Sequence, residues 1–216
     1  MSLGNILSVV KAAEVKAGRS RGSVRVIAVS KVQSMGRIKK VLDQGHRVFG
    51  ENRIQETLDK WPSLIDQYGE IELHLVGSLQ TNKVKDAIEF FKVIHSVDRK
   101  KLVLKLDTEV QRLGSCPDLF IQVNTGNEPQ KAGVSLENLE ELFSLAKERY
   151  SLPVVGLMCL PPVGESPLVH FRTLSQLNKK LGLSRISMGM SNDFEHAIKL
   201  GSTDVRIGSA IFGSRS

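Results

Sequence analysis

Residues 24–33, VRVIAVSKVQ, carry the reading on which the fold depends. The run is mostly β-branched or small, without the polar alternation of a strand that has one wet face. It reads as a strand covered on both sides, as parallel strands under crossover helices are. It then delivers a lysine. By two-residue alternation Lys31 shares a face with Ile27 and Val29, so a buried strand carries an amine to its carboxyl end.

Seven further runs have the same character: HRVFG (46–50), IELHLVG (71–77), KVIHSV (92–97), LFIQVN (119–124), PVVGLM (153–158), RISMG (185–189) and TDVRIG (203–208). Amphipathic patterns separate them at 34–44, 51–68, 80–91, 99–112, 135–150, 165–181 and 192–200, and another, 2–18, precedes the first strand. Eight strands, each divided from the next by a helix, predict an α/β fold. The specific form is a single (β/α)8 TIM barrel with an extra N-terminal helix, with an open sheet of six or seven strands as the alternative. Only SAIFGSRS, residues 209–216, lies beyond the last of these segments. A full eighth helix does not fit there, so the N-terminal helix is expected to cover that gap or to plug the barrel floor.

No Pro-, Gly- or Ser-rich linker interrupts the sequence, so one domain over 1–216 is expected. Aromatic residues make up 5% of the chain, which leaves Leu, Ile, Val and Ala to build the core. Cys116 and Cys159 are too few for a disulfide framework and lack metal-ligand spacing, which points to a reducing compartment. No apolar run has the length of a membrane span, and MSLGNILSVVKAAEVKAG lacks the layout of a secretion signal. A soluble cytoplasmic protein with no membrane partner is the expectation.

The net charge of +7 is concentrated at one end, because residues 1–53 hold 11 Lys or Arg against Glu14, Asp43 and Glu51. Nothing in that segment resembles a helix-turn-helix, a zinc finger or an aromatic stacking platform. A solvated basic face is the simpler reading, and no nucleic-acid partner is expected.

In a barrel of this kind, functional groups gather at the carboxyl ends of the strands. Partial burial of an amine disfavours its charged form and frees it to condense with a carbonyl. A strand-end lysine reaching back to solvent on its long stem is the competing account of Lys31. The seventh and eighth strands run into SMGMSND and VRIGSAIFG. Gly189 and Gly208 allow close backbone approach there, Ser191 and Ser209 offer hydroxyls, and Asn192-Asp193 can cap the next helix. Loops in these slots commonly bind phosphate. Together with Lys31 they point to a carbonyl compound bearing a phosphate. Arg206 alternates with Val205 and Ile207; if those two face the helices, its guanidinium enters the barrel and needs a partner, either an ion pair or a ligand.

The blocks AVSK, FGENRIQE, HLVGSLQTNKVK, IHSVD, IQVN, KAGV, GLMCL, SMGMSNDFEHAI and GSTDVRIGSAIFGSR resemble, in order and spacing, the pyridoxal phosphate homeostasis protein family, from about residue 28 to 215. The resemblance implies a barrel like the N-terminal domain of alanine racemase, with pyridoxal 5′-phosphate as a Schiff base on Lys31. It implies that Ser191, Gly208 and Ser209 hold the phosphate, that Asn52 lies near the cofactor, and that Arg206 faces the pyridine nitrogen. His74 either lines the same pocket or is a satisfied core histidine. Arg53, Leu73 and Cys159 depart from the family pattern.

An arginine at the ring nitrogen makes that ring a poor electron sink, and Tyr68 and Tyr150, the only tyrosines, fall within or at the end of helices. The implied role is therefore non-catalytic: a carrier or buffer of the cofactor, with dependent apoenzymes as recipients, and a monomer. An amino-acid racemase and a cofactor-free Schiff-base aldolase are the alternatives.

Overall fold

A computed structural model describes residues 2–213; Ser214 and Arg215, which end the last of the family blocks, lie outside it. Its strands are β1 (Arg25–Val29), β2 (Val48–Glu51), β3 (Glu72–Leu75), β4 (Val93–Val97), β5 (Asp118–Val123), β6 (Val154–Cys159), β7 (Arg185–Ser187) and β8 (Asp204–Ile207). All pair in parallel in chain order, and β8 closes on β1 through Arg25–Asp204, Val26–Val205, Ile27–Arg206 and Ala28–Ile207. The sheet is thus a closed barrel, and the open-sheet alternative is excluded.

The helices are α1 (Leu3–Lys16), α2 (Met35–Leu42), α3 (Ile54–Tyr68), α4 (Val84–Phe90), α5 (Lys100–Leu113), α6 (Leu139–Ser144), α7 (Pro167–Lys180), α8 (Phe194–Lys199) and α9 (Ser209–Phe212). A 3₁₀ turn, Thr81–Lys83, leads into α4, and a π-helical segment, Leu145–Arg149, extends α6. The long amphipathic pattern 135–150 therefore becomes α6 plus a widened last turn. Among the described residues, none of these helices is long and apolar enough to cross a membrane.

The N-terminal helix covers the gap. Ile6, Val10 and Ala13 of α1 pack with Val24, Val26, Val205 and Ile207 and with Phe194 and Ile198 of α8. Fully burying side chains such as Ile6 and Val10 contributes about 1.5–3 kcal/mol each. Two polar clamps fix the angle. Buried Glu14 accepts the N–H groups of Gly22 (3.0 Å) and Val24 (2.7 Å), and Arg19 donates to the carbonyls of Ser202 (2.6 Å) and Ile198 (3.2 Å). Some of the basic excess of this end is therefore structural. Of the two alternatives for this helix the covering role holds, and among the described residues β8 is followed by the single turn of α9.

The layer between strands and helices is apolar, with Trp61, Phe49, Leu64, Leu73 and Leu75 wholly buried. Phe49 meets Trp61 with ring centroids 4.9 Å apart. The barrel lumen differs from the apolar core expected. His95 on β4 bonds to Ser187 on β7 at 2.9 Å, and since β4 and β7 are not neighbours in the sheet, that bond crosses the interior. Phe120 stacks on His95 at 4.4 Å and lies under the Arg185 guanidinium at 4.9 Å. At the base, Arg185 pairs with Asp118 and Asp204, and Arg25 pairs with Glu72.

Candidate functional site

The carboxyl ends of the strands open into a cavity of about 350 Å³. Lys31, Asn52, Ser191, Arg206, Gly208 and Ser209, the residues singled out from the sequence, all line it, with Val29, Gln33, Val76, Leu160 and Met190 among the others. Strand alternation explains the first wall: Val29 and Lys31 both reach the cavity, and Lys31 sits in a turn just past β1, half-buried. Asn52 follows β2, where Gly77 lets it pack closely; a Cβ at Gly77 would lie 2.3 Å from the Asn52 carbonyl oxygen.

The Lys31 turn is held under strain by groups that the sequence reading did not identify. Val32 has φ +60°, a backbone region that β-branched residues avoid. Its N–H donates to Glu56 Oε1 at 2.5 Å, and Lys60 donates to the Ser30 carbonyl at 3.2 Å and to Glu56. Beneath them Glu51, wholly buried, accepts from Ser30 Oγ (2.7 Å) and Trp61 Nε1 (3.1 Å). Its Oε2 makes no hydrogen bond. Burial pushes the Glu51 carboxyl above its ordinary range, against the hydrogen bond from Ser30 and the charge of Lys60. A carboxylate ending the apolar strand VFGE was the available sequence signal.

The loops after β7 and β8 are joined. Ser191 Oγ accepts the N–H of Ala210 at 3.3 Å, and the Gly189 carbonyl accepts the N–H of Arg206 at 3.0 Å. Gly189 has φ +94°, and a Cβ there would lie 2.6 Å from Ala197 Cβ, so a glycine is required. One expectation is corrected. Asp193 precedes α8, but its carboxylate accepts the N–H of Met190 at 2.6 Å and makes no cap bond to the helix. The loop needs that acceptor to close its tight turn.

Arg206 enters the lumen, while Val205 and Ile207 face α1. It is 4% exposed and donates through Nη2 to the Cys159 carbonyl (2.8 Å) and through Nη1 to Ser187 Oγ. No carboxylate among the described residues forms an ion pair with it, so the ion-pair account of its burial fails. Burial lowers its pKa, opposed by Cys159, Asp193 and Asp204. A guanidinium nonetheless stays charged in proteins. The floor of the cavity is thus a buried cation with donors to spare.

His74 does not line the cavity. It lies wholly buried in the lumen, with Nε2 on Glu72 Oε1 (2.8 Å) and Nδ1 on His95 Nε2 (2.8 Å), a satisfied core histidine. Burial lowers its pKa, against Glu72, and holds that of His95 well below the ordinary value, with His74 and Arg206 adding to the effect. Leu73 packs among the apolar residues outside the barrel. Cys159 is buried, its thiol pushed up to about 12 by burial. Tyr68 donates to Asp43 at 2.7 Å, and neither it nor Tyr150 borders the cavity.

Known proteins resemble this chain in sequence, in fold or in both. The family model described as "Alanine racemase, N-terminal domain" matches residues 7–216. A pyridoxal phosphate homeostasis protein of Aquifex aeolicus is 39% identical over 99% of this chain and 96% of its own length. Among solved structures, PipY of Synechococcus elongatus with PLP bound is 31% identical, with a TM-score of 0.83 over 95% of this chain and 100% of that one. Alanine racemase of Corynebacterium glutamicum, 17% identical, shares the fold with a TM-score of 0.71, covering 99% of this chain and 61% of its own. The matching model and the full-length similarity to the curated relatives show that the chain belongs to the pyridoxal phosphate homeostasis proteins, a family built on the alanine racemase N-terminal domain.

Proposed function

We propose that this protein binds pyridoxal 5′-phosphate as a Schiff base on Lys31 and serves in intracellular homeostasis of that cofactor, as a carrier or buffer rather than a catalyst. In this reading Ser191, Gly208 and Ser209 hold the phosphate, Asn52 flanks the ring, and Arg206 donates to the pyridine nitrogen. Pyridoxal-phosphate-dependent apoenzymes are the recipients, and the protein works as a cytoplasmic monomer.

The observation that carries the reading is a shared wall. Lys31, the Ser191–Ser209 loops and a buried Arg206 without a carboxylate partner border one cavity of about 350 Å³. An unpaired buried guanidinium is expensive unless something accepts its hydrogen bonds. An aromatic ring nitrogen is such an acceptor, a phosphate suits the glycine–serine loops, and an aldehyde suits the amine. The residues present therefore fit the group. When bound, the cofactor supplies its aldehyde carbon: a C=N bond forms with the lysine amine as the aldehyde oxygen leaves as water. PLP in the structure of PipY, 31% identical, supports pyridoxal phosphate as the ligand.

The non-catalytic part of the reading rests on the lining. Its titratable side chains are Lys31, Asp193 and Arg206, and Asp193 is engaged by the Met190 N–H. Carbanion chemistry needs a free base opposite the lysine and a ring nitrogen that can take up charge. An arginine donor withholds the second.

Uptake of pyridoxal phosphate followed by its visible absorption tests this. A new band in the wild-type protein, absent in Lys31→Ala, is the expected result, and no band in the wild type would overturn it. Release of α-deuterium from amino acids in heavy water would shift the assignment to a racemase. Turnover of a sugar phosphate without any band would indicate the aldolase.

A further inference from the structure

Below Arg206, a line of polar side chains runs across the lumen from β8 to the base of β3. Arg206 Nη1 meets Ser187 Oγ; Ser187 Oγ lies 2.9 Å from His95 Nδ1; His95 Nε2 lies 2.8 Å from His74 Nδ1; and His74 Nε2 lies 2.8 Å from Glu72 Oε1. Glu72 in turn accepts from Arg25 Nη1 at 2.6 Å.

The proton positions follow from the two ends. A guanidinium only donates, so Ser187 Oγ accepts from Arg206, and the single hydroxyl proton of Ser187 goes to its other partner, His95 Nδ1. His95 Nδ1 must then be bare. A neutral His95 carries its proton on Nε2 and donates to His74 Nδ1, which is bare for the same reason. His74 holds its proton on Nε2 and gives that hydrogen bond to the Glu72 carboxylate, which only accepts. One arrangement satisfies every atom, and it points one way. A second proton on His95, at Nδ1, would leave the Ser187 hydroxyl proton without its acceptor. The charged and titratable groups facing His95, namely His74, Arg206, Arg185 and Arg25, all oppose it, and Phe120 covers the ring face. Glu72 and Asp204 favour a charged His74, against burial and Arg185.

We propose that Ser187, His95, His74 and Glu72 are positioning residues, a one-way hydrogen-bond chain that fixes the Arg206 guanidinium with its remaining N–H groups directed at the cavity. The proposal rests on the pyridoxal phosphate reading for what Arg206 then grips, and it extends the site to the opposite end of the barrel. Without Ser187 Oγ, the guanidinium keeps only the Cys159 carbonyl and can pivot away from the ring nitrogen. The aligned dipoles of such a chain strengthen one another, so the grip depends on side chains that do not border the cavity.

Two measurements test it. Long-range ¹H–¹⁵N NMR of the histidine rings in cofactor-free wild-type protein should show His74 and His95 as neutral Nε2–H tautomers at neutral pH, with His95 still neutral below the ordinary histidine value. A cationic His95, or one protonated at Nδ1, would overturn the chain. Ser187→Ala should hold pyridoxal phosphate about ten-fold more weakly, the effect of roughly one lost hydrogen bond to a charged group. It should also shift the pH midpoint of the bound cofactor's absorption, and Ser187→Thr, which keeps the hydroxyl, should restore both. Wild-type affinity and an unmoved midpoint in Ser187→Ala would overturn the positioning role. Failure of the wild-type protein to take up pyridoxal phosphate would overturn the binding reading instead, and the NMR result in the same protein would still decide the chain.

Discussion

Ser191 Oγ accepts the backbone N–H of Ala210 at 3.3 Å, tying the loop after β7 to the turn after β8. Both serines of the proposed phosphate cradle, Ser191 and Ser209, therefore belong to one hydrogen-bonded unit at the cavity wall.

Replacing Ser191 and Ser209 together by alanine removes two hydroxyls from that unit. Hydrogen bonds to a charged group are worth roughly 1.5–3 kcal/mol each. The double variant should lose pyridoxal phosphate during dialysis that the wild-type protein survives, measured by absorbance of the retained fraction. Equal retention would remove these serines from the phosphate site.

The strain at Val32 makes a second prediction. Val32 is 70% exposed, so little burial is lost on replacement, while its φ of +60° suits asparagine far better than a β-branched residue. Val32→Asn should stabilise the protein by about 1 kcal/mol in chemical denaturation. A loss of stability would show that Val32 packs usefully and that the turn is relaxed.

Stability should fall on acidification below the ordinary histidine range, because folding lowers the pKa of both His74 and His95. The unfolded chain then binds protons that the folded one excludes, which costs at most about 1.4 kcal/mol per pH unit for each histidine, and only between its unfolded and its lower folded pKa. Glu51 works the other way. Its raised folded pKa contributes stability that is fully present below the unfolded value and is lost as pH rises through the folded one. Denaturation curves from pH 7 to 4.5 should accordingly steepen in Glu51→Gln, which removes the opposing group. A pH-independent Glu51→Gln variant would contradict the neutral lumen.

The barrel was legible because each strand is a short apolar run bounded by helical periodicity, and β1 to β8 fall on the eight runs read from the sequence. The cavity residues were legible for a related reason: alternation carries Val29 into Lys31, and strand ends define one rim. What lay across the lumen was not. His74 and His95 stand on neighbouring strands and Ser187 on a distant one, so their bonds depend on barrel closure, which no local pattern encodes. The same holds for Asp193, whose choice of Met190 over the α8 terminus depends on the loop's path. Glu51 and Glu56 fall within the amphipathic pattern 51–68, and only the fold brings Ser30 and Trp61 onto Glu51 and Lys60 onto Glu56.

The most direct measurement is reductive trapping. Protein loaded with pyridoxal phosphate and reduced with borohydride should carry the pyridoxyl label on the peptide containing Lys31, at one label per chain, with none in Lys31→Ala. A label on any other lysine, or undiminished labelling in Lys31→Ala, would contradict the assignment of that amine.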